Sequence, residues 1–173
     1  MSEYYINVIV VEDEKRIAKN IAKHIEQSNP HFKVTNIFSN GSDAWDYICT
    51  QPIQVVITDI SMPVMDGIEL VKRIHESKKI IQCIILTGYA DFSYAQSALR
   101  YGVTDYLLKP INSQELCQTL KKIEVTLLAA SDNMLTTTSE NNYKPEEIVA
   151  LVKEYIQNHY ADEITLNTLS KNL

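Results

Sequence analysis

A chain of 173 residues can bury one full core and carry an appendage, and 45% apolar with 22% charged residues is the balance of an ordinary soluble globular protein. The net charge of -6 argues against a phosphate-backbone surface: residues 1–125 hold 13 Lys+Arg against 15 Asp+Glu, and residues 126–173 hold 3 against 7. No apolar run approaches the ~18 residues of a membrane span and no signal peptide opens the chain, so a cytoplasmic protein without membrane attachment is expected.

Residues 5–11 form an apolar strand that ends on Glu12-Asp13-Glu14. A helix follows through Ile17, Ile21, Ala22 and Ile25, and Asn29-Pro30 stops it. A second strand covers 33–38, with a helix through Ala44, Trp45, Ile48 and Cys49 after Asn40-Gly41-Ser42. Residues 54–59 are a β-branched run ending on Asp59, then a Met62-Pro63 turn, an Asp66-Gly67 pair and a helix over 67–76. A fourth strand spans 80–86 and runs into Thr87-Gly88, and a fourth helix spans 92–101. A fifth strand over 103–108 ends at Lys109-Pro110, and a fifth helix begins at Asn112. Cys49, Cys83 and Cys117, odd in number and set in apolar patterns, read as buried thiols of a reducing compartment. The four histidines show no ligand spacing.

Strict strand-helix alternation requires parallel strands with right-handed crossovers, hence an α/β doubly wound five-stranded sheet with helices on both faces. Every strand then ends at one rim, which collects Glu12, Asp13, Asp59, Thr87 and Lys109. Singly, Glu12-Asp13 reads as a helix cap, Asp59 as a turn residue, Thr87 as a strand end and Lys109 as a solvated lysine. Convergence at separate strand ends favours one site instead. Three clustered carboxylates repel one another and invite a hard divalent ion, Mg²⁺ by default. The open face then suits a phosphoryl group: an ionised Asp59 is a nucleophile toward phosphorus, with Lys109 and Thr87 placed to neutralise charge in the transfer.

The stretches V-E-D-E, D-I-S-M-P-V-M-D-G, L-T-G-Y-A and Y-L-L-K-P resemble a response-regulator receiver domain of two-component signalling over about residues 4–125. The resemblance implies strand order 2-1-3-4-5 and Asp59 as phosphoacceptor. It also implies Glu12, Asp13, Asp59 and the Ser61 carbonyl as the Mg²⁺ ligands, Lys109 as the ammonium, Thr87 and Tyr106 as the switch pair, and a cis bond at Lys109-Pro110. Glu12 departs from the aspartate of many relatives. A sensor histidine kinase is the implied partner, and the domain is a phosphoacceptor rather than an enzyme. A phosphatase with an aspartyl nucleophile would need an acid-base residue two positions after Asp59, where Ser61 stands. A flavin or dinucleotide site would need a G-x-G-x-x-G after the first strand, which is missing.

The expected division is a receiver over 1–128, a linker over 129–144 whose 131–142 are polar and without apolar period, and a helical segment over 145–173. Its stripe of Ile148, Leu151, Val152, Tyr155 and Ile156 and the following I-T-L-x-x-L-S resemble the opening of an AraC-type DNA-binding domain. The expected protein is therefore a transcription factor that binds DNA through its full-length form and not through these 173 residues, with a homodimer possible. The alternative is a receiver that controls an enzyme or partner protein through the C-terminal helices. Leu116, Leu120, Ile123 and Leu127 recur at helical spacing, either as a readout face or as packing against the sheet.

Overall fold

A computed structural model describes residues 5–88, 96 and 98–132. They form β1 (Ile6–Val11), α1 (Lys15–Ser28), β2 (Phe32–Phe38), α2 (Gly41–Thr50), β3 (Val55–Asp59), α3 (Gly67–Glu76), β4 (Gln82–Thr87), β5 (Asp105–Leu108) and α4 (Ser113–Asp132). The sheet is parallel in the order β2-β1-β3-β4-β5. Residues 96 and 98–100 are helical, within the helix expected over 92–101. The linker stretch 133–144 and the helices expected over 145–173 lie outside the described residues.

Alternation along each strand splits the core into two layers. Ile6, Val8 and Val10 of β1, Ile57 of β3 and Leu86 of β4 face α1 and α4, where Ile21, Ile25, Leu116, Leu120 and Ile123 close over them. Ile9 and Val11 of β1, Val56 of β3 and Ile85 of β4 face α2 and α3, against Ala44, Ile48, Leu70, Val71 and Ile74. Each such fully buried side chain contributes roughly 1.5–3 kcal/mol of transfer free energy. The α4 stripe therefore packs on the sheet, with Leu127 at its partly buried end.

Local chemistry starts two helices in the expected way. The Asn40 side chain accepts from the Asp43 N–H at 2.9 Å, and the Asp66 carboxylate accepts from the Glu69 N–H at 2.7 Å. Asn29 and His31 hold the α1–β2 connection to α4 by donating to, or pairing with, Glu124 at 2.7 and 2.5 Å. Other boundaries differ from the sequence reading. Ile80, expected in the fourth strand, is 82% exposed and precedes β4. Cys49 is exposed rather than buried, and α4 continues to Asp132.

Candidate phosphoacceptor rim

The rim is built where β1, β3, β4 and β5 end. Glu12 follows β1 and is 2% exposed, Asp59 closes β3 at 7%, and Thr87 closes β4 at 3%. Asp13 is exposed beside them. One carboxylate oxygen from each of Glu12, Asp13 and Asp59 lies within 4.8 Å of the others. Lys109, one residue past β5, bridges two of them, its Nζ lying 2.6 Å from Glu12 and 3.1 Å from Asp59. Its backbone N–H donates to the Thr87 carbonyl at 2.7 Å, which stitches the β5 end to the β4 end. The Lys109-Pro110 bond is cis, as the resemblance implied.

The charges set one another. Burial pushes the Glu12 carboxyl up, and the Asp59 charge adds to that, against the hydrogen bond and charge of Lys109. Burial alone would depress Lys109, but its hydrogen bonds to Glu12 and Asp59 and their charges outweigh it and hold the ammonium above its usual value. Three carboxylates against one ammonium leave an oxygen-lined, net anionic cluster. That donor set fits a hard divalent cation such as Mg²⁺.

Thr87 and Tyr106 lie on neighbouring strands, with Tyr106 half-buried against the α2–α3 layer. Ser61 is exposed in the loop two residues past Asp59. The expected Lys109 role, on an incoming oxygen, meets an ammonium that is already spanning Glu12 and Asp59.

Two residues after Asp59 have roles that the sequence reading did not give them: Gly67, the first residue of α3, and Val64, in the turn before it. A Cβ on Gly67 would sit 2.0 Å from the Asp59 carbonyl oxygen and 3.0 Å from the Thr58 hydroxyl, while the Gly67 N–H donates to the Ile60 carbonyl at 2.9 Å. Only a residue without a side chain lets α3 start that close to the strand carrying the carboxylate. The Asp-Gly pair signalled a turn, but the contact that demands glycine is visible only in three dimensions. The second is Val64, which holds φ at 69° and is 87% exposed, with the Met65 N–H donating across it to the Pro63 carbonyl at 2.8 Å. That is a γ-turn of the strained, positive-φ kind, on a β-branched residue. Val64→Gly is expected to stabilise the protein by about 1 kcal/mol, because strain is relieved and no burial is lost. A urea midpoint that rises at constant m checks it.

A doubly wound parallel sheet whose strand ends gather an acidic trio bridged by one lysine defines a CheY-like α/β module. The chain belongs to the response regulator receiver domain family, whose description matches residues 8–121. It is 36% identical over 116 residues to the uncharacterized transcriptional regulatory protein YesN of Bacillus subtilis, an alignment covering 67% of this chain and 32% of that protein. It is 26% identical over 177 residues to the transcriptional regulatory protein HptR of Staphylococcus aureus, covering 96% and 69%. The chain thus spans about a third of the first relative. Among solved structures, the REC domain of AraT, a response regulator from Geobacillus stearothermophilus, superposes with TM-score 0.67 at 33% identity, covering 73% of this chain and 98% of that one. These relatives are transcriptional or response regulators. No helix among the described residues is long and apolar enough to cross a membrane.

Proposed function

We propose that Asp59 is the phosphoacceptor of a two-component transcriptional regulator and that a sensor histidine kinase supplies the phosphoryl group. The observation that carries this is the Asp59 carboxylate, 3.1 Å from the Lys109 ammonium inside the acidic trio at the strand-end rim. Asp13, Asp59, Glu12 and the Ser61 carbonyl would hold Mg²⁺. When bound, the ion neutralises charge on the transferring phosphoryl oxygens. An Asp59 carboxylate oxygen forms the bond to phosphorus as the phosphorus–nitrogen bond of the donor phosphohistidine breaks, leaving the electron pair on the imidazole. Lys109 follows the charge from the carboxylate to a phosphoryl oxygen, and the Thr87 hydroxyl donates to another, which draws the end of β4 and Tyr106 toward the rim.

The domain division we infer is a receiver that runs to the end of α4 at Asp132, four residues beyond the expected 128, then a linker through 144 and the opening of an AraC-type output domain over 145–173. The alignment to HptR, which runs through 96% of this chain, supports an output segment of the transcriptional kind. DNA contact is assigned to the full-length protein, because 126–173 carry 3 Lys+Arg against 7 Asp+Glu.

Acetyl phosphate with Mg²⁺ should add about 80 Da to the protein, on Asp59 by peptide mapping. An adduct confined to other residues would refute the assignment. Asp13→Ala should weaken Mg²⁺ binding by at least about tenfold, since it removes a charged oxygen donor. Titration followed by Trp45 fluorescence checks it, and an unchanged curve would place the ion elsewhere.

A further inference from the structure

The loop 60–66 between β3 and α3 is tied down from both sides. The Ile60 N–H donates to the Leu86 carbonyl of β4 at 3.2 Å, and the Gly67 N–H returns to the Ile60 carbonyl at 2.9 Å, so the neck of the loop is closed. A further tie comes from another helix. The Gly41 N–H, at the start of α2, donates to the Met65 carbonyl at 2.9 Å. Met65 is 7% exposed, and its side chain belongs to the α2–α3 layer with Ala44 and Ile48. A Cβ on Gly41 would lie 2.9 Å from the Met65 carbonyl oxygen, 2.9 Å from its Cγ and 3.1 Å from its sulfur.

These ties account for the strain at Val64. The ring of Pro63 locks its own φ, and Met65 is fixed by burial and by α2. Val64 is left to absorb the mismatch, with φ at 69° on a β-branched residue. Such a backbone persists only where its surroundings over-determine it. An exposed valine at the tip adds nothing to the core. What the strained turn fixes is the course of the chain from Ile60 to Met65, and Ser61 lies on that course.

We propose that Gly41 is a positioning residue for the metal: by seating Met65 it sets the loop that presents the Ser61 carbonyl to the cation. This rests on the reading of Glu12, Asp13, Asp59 and the Ser61 carbonyl as the Mg²⁺ ligands. A carboxylate can swing on its own side chain to meet an ion, whereas a carbonyl goes only where its backbone goes. The loop therefore has to be placed by something else, and α2 supplies that placement from outside the ligand set.

Isothermal titration calorimetry of Mg²⁺ on the 173-residue chain and on Gly41→Ala tests this, with Cys49→Gly as a second variant. Cys49 is exposed on α2, so glycine there loosens the helix without reaching the loop. Gly41→Ala should raise Kd at least about tenfold, while Cys49→Gly stays within about twofold of the wild type. Hydrogen exchange on the wild type decides the matter should Gly41→Ala fail to fold. By reciprocity, bound Mg²⁺ must hold the Gly41–Met65 bond closed, so saturating Mg²⁺ should slow exchange of the Gly41 N–H at least about tenfold. The Gln54 N–H, bonded to the Asn7 carbonyl at the opposite end of the sheet, should exchange as before. An unchanged Kd in Gly41→Ala, equal losses in both variants, or a Gly41 exchange rate blind to Mg²⁺ overturns the positioning role. If the wild type takes up no Mg²⁺, the metal reading itself falls and the positioning role with it, an outcome distinct from failure of the anchor alone.

Discussion

Asp59→Asn should abolish phosphorylation by acetyl phosphate and by a phosphohistidine donor, lowering the rate by about a thousandfold or more, and leave the fold intact. An amide of nearly the same volume fills the same buried position but has no ionised oxygen to attack phosphorus. The loss is chemical rather than structural because Lys109 keeps its shorter contact, 2.6 Å to Glu12. Removing one of three mutually repelling carboxylates also relieves Glu12, whose carboxyl the Asp59 charge helps to push up. Thermal unfolding should therefore be unchanged or slightly higher, by up to about 1 kcal/mol of stability. Intact-mass spectrometry after acetyl phosphate treatment checks the chemistry. A full-rate adduct on the variant would move the nucleophile to another carboxylate.

Gly67→Ala should destabilise the protein by about 2–3 kcal/mol and slow phosphorylation of Asp59 by roughly a hundredfold. Alanine is ordinarily the better helix residue, by about 0.8–1 kcal/mol, so the sign itself is diagnostic. The new methyl would lie 2.0 Å from the Asp59 carbonyl oxygen and 2.9 Å from its carbonyl carbon. Both are backbone atoms of a central strand that is buried throughout, so no flexible side chain can swing away. Either α3 retreats, breaking the 2.9 Å hydrogen bond from Gly67 to Ile60, or the end of β3 shifts and takes the Asp59 carboxylate with it. Chemical denaturation and acetyl phosphate kinetics read the two effects separately. A variant as stable as the wild type would show that the start of α3 adapts freely.

What could be read from the residues followed from periodicity and chain order. Alternation of Ile6, Val8, Val10 with Ile9, Val11 places a strand between two layers, and a carboxylate closing a short β-branched apolar run reads as a strand end. Strand ends share a rim in a parallel sheet, so Glu12, Asp13, Asp59 and Lys109 could be brought together on paper. The 2-1-3-4-5 order came from the family resemblance instead, since strand alternation alone admits other doubly wound orders. The partners within the rim were not legible, because choosing between Glu12 and Asp59 for Lys109 takes side-chain reach. The need for glycine at 67 and the positive φ of Val64 depend on distances between segments, and a valine is the residue least suggestive of such a turn. Ile80 misled because an apolar run does not say where its strand begins. At 131–132 the polar Ser-Asp pair hid a helix whose terminal residues need no apolar period.

The division of the core into two layers gives the chain a set of chemically sorted thiols. Cys83 lies in the α2–α3 layer, where burial pushes its thiol up to about 12, so at neutral pH it stays protonated and unreactive. Cys49 is exposed on α2, and Cys117 is partly exposed on α4, across the sheet from it. A maleimide should therefore modify Cys49 and Cys117 in the folded protein and reach Cys83 only after denaturation, as counted by mass. A pair of spin labels on the native cysteines would then straddle the sheet, one on each helical layer, and turn any movement of α4 against α2 into a measurable distance without a single engineered residue.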